Sequence, residues 1–255
     1  MCGLCMRMRL CRRGTLIVRA NLPEEELSGT LADWLEGMRS RALRRVGIGT
    51  RERVLEVGCG HGFVSAELAR RSRGLVVALD IESEGLGALI AENTLPVGGD
   101  GRRLPFRDES FDLVLFQNTL MWIDPAEVAV AEAVRVLQPG GALIALEPDY
   151  GAMIEEPDLG LRNTWLDALE RSGADPLMGR RLPGLAEAAG LQTWIELSHI
   201  PGRAQPEAVD LLSELPLTVR QRESAEGARA IIERATGSWS VFLHVPYLML
   251  VALRR

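Results

Sequence analysis

Short apolar runs alternate with stretches of helical spacing between residues 53 and 148, and that rhythm predicts a series of βα units. The runs at 54–57, 75–79, 111–116 and 142–147 have strand length, and a weaker run lies at 95–98. Between them, 62–72, 81–92 and 125–137 carry apolar positions three or four residues apart. Strands that are apolar throughout belong to a parallel sheet with helices on both faces. Upstream, Leu27, Leu31, Leu35, Met38 and Val46 keep a helical stripe, which predicts one amphipathic helix over 23–46. Pro23 and three successive acids open it favourably, and Gly47 and Gly49 stop it. Downstream the pattern predicts helices at 159–171, 182–189, 206–215 and 223–236, a sixth strand at 191–197 and a last strand at 241–253. We read one α/β domain over 1–255: an irregular basic arm at 1–20, a core at 50–150, and helical insertions at 149–181 and 203–238.

Composition changes this picture little. The 255 residues are 47% hydrophobic and 25% charged, ordinary values for a globular domain of this size. All 29 basic residues are arginine, which reads as a coding bias. The net charge of −6 is uneven, with eleven arginines against six acids in residues 1–53. Such a basic segment is more often a solvated face than a phosphate site. The chain shows no secretory pattern at its start, and its longest apolar run, 241–253, is interrupted by His244 and Pro246 and is too short for a bilayer. The expected location is cytoplasmic. Cys2, Cys5 and Cys11 are the one set that suggests a metal, but a closed zinc site wants four ligands and no second pair is apparent. We therefore expect no metal.

The chemistry concentrates after the first predicted strand. Glu56-Val57-Gly58-Cys59-Gly60-His61-Gly62 ends a strand in a carboxylate, turns through alternating glycines and opens a helix. Glycines let the backbone turn sharply and let a ligand approach the amides. The helix start leaves N–H groups facing the same space. Asp80 and Asp100 close the next two predicted strands, where open α/β sheets bind ligands. A carboxylate 18 residues past Gly62 is well placed to accept both hydroxyls of a ribose. A dehydrogenase would use Gly-x-Gly-x-x-Gly instead. Here the spacing is Gly58-x-Gly60-x-Gly62, with Phe63 where that pattern needs glycine.

The run from Val54 to Gly62 resembles the first motif of class I S-adenosylmethionine-dependent methyltransferases, nearest their small-molecule, quinone- and sterol-type branch. Val76–Asp80, Asp100-Gly101 with Leu104-Pro105-Phe106, Phe111–Val114 and Gln138-Pro139-Gly140-Gly141 resemble the later motifs in order and spacing. The resemblance implies a Rossmann-like three-layer fold, its seven-stranded sheet mostly parallel with an antiparallel last strand. It also implies S-adenosyl-L-methionine as cofactor and S-adenosyl-L-homocysteine as product. Gly58, Cys59, Gly60 and Gly62 would line the methionine part, and Glu56 would fix that loop or the amino group. Asp80 would hold the ribose and Ile81 would pack on adenine. Asp100 would accept from the adenine amine beside Gly101, and the Gln117 backbone would face the methionine amino group. The family's frequent histidine near Met121 and Trp122 is missing.

The expected activity is transfer of a methyl group, in line, to a small molecule whose identity the sequence leaves open. Asp149, Tyr150 and His61 are candidate acid–base groups, and Asn118, Trp122 and Tyr150 are candidates for the acceptor pocket. The helix at 23–46 and the two insertions would form a lid over that acceptor. Two alternatives stay open. One is a nucleic-acid methyltransferase, for which Arg39, Arg41, Arg44, Arg45, Arg51 and Arg53 could contact phosphates; the acidic overall charge and the absence of Asn/Asp-Pro-Pro after the fourth strand argue against it. The other is a cofactor-binding partner protein without catalysis. Oligomeric state is not legible.

Overall fold

The computed structural model describes residues 8–10, 16–18, 22–82, 92–198, 202–235 and 237–255. In chain order its elements begin with β1 (Met8–Leu10), β2 (Leu16–Val18), α1 (Glu25–Trp34), α2 (Glu36–Arg45), β3 (Arg53–Val57), α3 (Phe63–Arg71), β4 (Leu75–Asp80), β5 (Thr94–Gly98), β6 (Phe111–Gln117) and α4 (Ala126–Val136). They continue with β7 (Leu137–Pro148), β8 (Ile154–Glu156), α5 (Leu161–Arg171), α6 (Met178–Ala188), β9 (Gln192–Ser198), β10 (Gly202–Arg203), α7 (Pro206–Ser213), α8 (Val219–Arg234), β11 (Phe242–His244) and β12 (Tyr247–Leu253). They group into two compact units.

The larger unit comprises Ser28–Pro148, Met178–Ser198 and Tyr247–Arg255. Its seven strands run in the order β5-β4-β3-β6-β7-β12-β9, with β12 antiparallel to both neighbours and the other pairings parallel. The expected seven-stranded, mostly parallel sheet with an antiparallel last strand is what forms. Apolar strands follow from double-sided burial: β3 is buried from Val54 to Val57, and β6 from Phe111 to Phe116. On one face Met38 and Leu43 of α2 and Val64 and Leu68 of α3 pack against Val54, Leu113 and Ile144. Burial of each such side chain stabilises the fold by roughly 1.5–3 kcal/mol. From β3 the chain winds outward through β4 to β5, and from β6 it winds the other way. The strand order thus reverses between β3 and β6, the switch point at whose carboxyl ends open α/β sheets bind ligands.

The second unit comprises Met1–Leu27, Asp149–Leu177 and His199–Pro246. It holds a three-stranded antiparallel sheet, β10-β11-β8, together with α5, α7 and α8. Thr218 and Gln221 form a reciprocal capping box that starts α8, and Arg171 of α5 donates to Gln221 at 2.7 Å.

Three expectations need correction. The helix over 23–46 is two helices, broken at Leu35, where the backbone stays near helical (φ −94°, ψ −4°) but the hydrogen-bond ladder is interrupted just before Gly37, a residue that weakens helices. The arm over 1–20 contains an antiparallel strand pair, Met8↔Val18 to Leu10↔Leu16. The run Leu16-Ile17-Val18 favours a strand through its β-branched residues, but three residues are too few for periodicity to reveal it. The last strand over 241–253 is two, β11 and β12, because Pro246 has no N–H for a ladder and instead accepts from the Asp149 amide through its carbonyl at 2.8 Å. The helix expected over 81–92 lies almost wholly outside the described residues.

Candidate functional site

The turn from β3 into α3 is built by its glycines. Gly58, Gly60 and Gly62 have φ of +77°, +51° and +84°, a region that side-chain-bearing residues rarely adopt. Gly58 is also sterically fixed, since a Cβ there would stand 2.4 Å from Thr119 Oγ1. The Gly58 and Cys59 amides both donate to the Leu79 carbonyl, at 2.7 and 3.1 Å, which pins the turn to the end of β4. Cys59 itself is buried; burial first, then the nearby Glu56 and Asp80 carboxylates, push its thiol far up. His61 is half-buried beside Phe63 in the same turn.

The three strand-end carboxylates have different surroundings. Asp80 Oδ2 accepts the Gly60 amide at 2.9 Å and Oδ1 accepts the Glu82 amide at 2.9 Å, so the group expected to hold a ribose also holds the glycine turn. Glu56 is buried and accepts from the Ser65 hydroxyl of α3. Burial pushes its pKa up to about 8 against the opposing effects of Ser65 and Arg39, with Asp80 and Glu67 adding to the rise. It is therefore mainly protonated at neutral pH. Asp100 is gripped by Arg102, whose Nη2 lies 2.7 Å from Oδ2. Ile81 is 53% exposed beside Asp80, as a flat ligand resting on it would require.

Past β6, the Gln117 carbonyl accepts the Thr119 hydroxyl at 2.9 Å. Asn118 has φ +53°, and its Oδ1 is buried with no hydrogen-bond partner among the described residues. Glu147, which sequence reasoning passed over, and Arg39, which it named only as a possible phosphate contact, organise this end. Glu147, fully buried at the end of β7, accepts the Thr119 and Leu120 amides at 2.9 and 2.8 Å and so fixes the turn that carries Trp122. Arg39, 4% exposed, donates to Glu67 of α3 at 2.6 Å, to the Gln117 side chain at 3.0 Å and to the Ala32 carbonyl at 3.0 Å. The available signals were a lone acid near the end of an apolar strand and an arginine spaced four residues from both Leu35 and Leu43. Neither says what the charge will meet.

The remaining candidates fall in both units. Trp122 is 38% exposed. Asp149 and Tyr150 belong to the second unit, where the Tyr150 ring stacks on Trp165 at 4.7 Å between centroids. Cys2, Cys5 and Cys11 lie outside the described residues, and no metal-binding cluster occurs among the described ones. Of the basic stretch, Arg41 pairs with Glu196 at 2.6 Å, Arg45 lies 3.7 Å over the Trp194 ring, Arg51 donates to backbone carbonyls and Arg53 to Gln138. No helix among the described residues is long and apolar enough to cross a membrane.

Residues 55–145 match the family described as Methyltransferase domain. The chain is 39% identical over 95 residues to the fatty-acid O-methyltransferase of Mycolicibacterium smegmatis, a span of 35% of each protein. It is 34% identical over 114 residues to the demethylmenaquinone methyltransferase of Mycolicibacterium paratuberculosis, covering 45% of this chain and 47% of that one. The chain spans 35% to 54% of the length of the first curated relatives it matches. The solved phosphoethanolamine N-methyltransferase 2 of Haemonchus contortus, in complex with S-adenosyl-L-methionine, superposes with a TM-score of 0.59 at 14% identity, over 86% of this chain and 52% of that one. At that identity the likeness is one of fold.

Proposed function

We propose, from the premise that residues 55–145 belong to the methyltransferase domain family, that this chain is a class I S-adenosylmethionine-dependent methyltransferase acting on a small acceptor of lipid or quinone type. One observation carries the reading. Asp80 closes β4 while holding the Gly60 amide, so a diol-accepting carboxylate and a Cβ-free turn form one rigid piece at the strand switch point. The exposed Ile81 beside Asp80 fits a ligand there, and the buried Asn118 Oδ1, past β6, has no hydrogen-bond partner among the described residues.

When bound, the cofactor supplies a methyl group on a positively charged sulfur. The turn Gly58 to Gly62 would hold its methionine part, with the Gln117 backbone at the amino group. Asp80 would accept the ribose hydroxyls; each oxygen already takes one amide and retains acceptor capacity. Ile81 and Gly101 would border the adenine, and Asp100 would take its amine. Glu56 would fix the turn, through Ser65 of α3, or the amino group. What remains for the protein is alignment of the acceptor, which supplies about 7–11 kcal/mol in the best cases. An acceptor that arrives ionised needs no base, and we assign none.

The relatives' names, fatty-acid O-methyltransferase and demethylmenaquinone methyltransferase, support the acceptor class. A cytoplasmic setting belongs to the same proposal. The protein contacts of Arg39, Arg41, Arg51 and Arg53 count against a phosphate-binding face. The test is incubation with methyl-labelled S-adenosylmethionine and, separately, fatty acids, reduced naphthoquinones and RNA. Label should move into an organic-soluble product. Transfer to RNA alone would overturn the acceptor class, and cofactor binding without any transfer would favour a non-catalytic partner.

A further inference from the structure

β9 ends the seven-stranded sheet, and among the described residues it pairs with β12 alone. Its residues Gln192–Ser198 follow β12 in unbroken register, so no bulge interrupts the outer row of N–H and C=O groups. The opposite end of the sheet is guarded: β5 carries Pro96, which has no N–H, and ends at Gly98. β9 has neither residue type and a single charge, Glu196, which Arg41 of α2 holds at 2.6 Å. The two faces of the strand differ. Trp194 and Glu196 face α2, whose Arg45 lies 3.7 Å over the Trp194 ring and pairs with no carboxylate among the described residues. Ile195 and Leu197, on the other face, are 41% and 40% exposed, which makes this edge a template for another strand.

We propose that β9 pairs antiparallel with β9 of a second copy of this chain, about a two-fold axis at Ile195, so that one sheet continues across two molecules. A two-fold contact sets the same surface against itself. Opposed residues on antiparallel strands face the same side, so the axis passes through a residue: Trp194, Ile195 or Glu196 near the middle of β9. Charge and length select among them. An axis at Glu196 would oppose two carboxylates, and one at Trp194 would bring together two rings that each carry an arginine. An axis at Ile195 pairs the whole strand, from Gln192 against Ser198 inward, and sets each Glu196 opposite the other copy's Trp194. The Arg45 on that ring then meets a carboxylate, once on each side of the axis. On the other face Ile195 meets its own counterpart and Leu197 meets Thr193, which covers the exposed apolar row.

The test is sedimentation of the full chain from micromolar to millimolar concentration, for wild type and Ile195→Lys, with circular dichroism to confirm folding. Wild type should form a dimer as concentration rises. I195K sets like charges face to face on the axis and should raise the dissociation constant about tenfold or more. Register is read separately, without reliance on I195K, by oxidative cross-linking of Ile195→Cys and Gln192→Cys, each in a chain with Cys2, Cys5 and Cys11 changed to Ser. A disulfide-linked dimer should form through position 195, which lies opposite itself, and not through position 192, which lies opposite Ser198. Wild type that stays monomeric throughout, a dimer that folded I195K leaves intact, or bridging at 192 in preference to 195 would each overturn the pairing.

Discussion

Glu56 is carried out of water by folding, where it accepts from the Ser65 hydroxyl. Its pKa rises from 4.5 to about 8, so across that window the folded state keeps a proton that the unfolded state releases. Stability therefore falls as pH rises from about 4.5 to about 8, by an amount on the order of 3–5 kcal/mol. Glu56→Gln removes the titration and keeps the shape. In urea unfolding the variant should gain on wild type between pH 5.5 and pH 8.5, and a gap independent of pH would contradict the burial account. Glu56 and Asp80 were legible as residues because each ends an apolar run beside a glycine turn. Their protonation and partners were not, because Ser65 and the Gly60 amide reach them only after β3, β4 and α3 have packed.

Arg39 does at the level of elements what Asp80 does for the glycine turn. From α2 it reaches the last residues of α1, Glu67 on α3 and Gln117 at the end of β6. Glu67 is also held by Arg71 at 2.5 Å, and Arg71 donates to Ser40 of α2. Arg39→Met leaves Glu67 with Arg71 and removes the donor to the Gln117 side chain and the Ala32 carbonyl, so it should cost about 1.5–3 kcal/mol in urea unfolding. A cost below about 1 kcal/mol for the single variant would mean that the pair behaves as a solvated one. The helical stripe predicted α2 and its buried face, and apolar run length predicted β3, β4, β6 and β7, since both are local properties. The break at Leu35 and the division of the last strand at Pro246 are backbone events, and a stripe of side chains passes over them.

For the whole molecule, the order of strands carries the functional argument. The larger unit brings β3 and β6 together at the switch point although 53 residues separate the ends of β3 and the start of β6. That is how Gly58 comes to meet Thr119, and Asp80 the glycine turn. The acceptor is less legible, because it depends on long-range packing, and the chain spans only part of each first curated relative. The most direct measurement is calorimetric titration of the wild-type chain with S-adenosylmethionine and S-adenosylhomocysteine, repeated on Asp80→Asn, which keeps an acceptor for the Gly60 amide but loses the charge. The account predicts binding of both ligands by wild type and a loss of about tenfold or more in the folded variant. Folded wild-type protein that binds neither ligand, or a variant that binds as tightly as wild type, would contradict it.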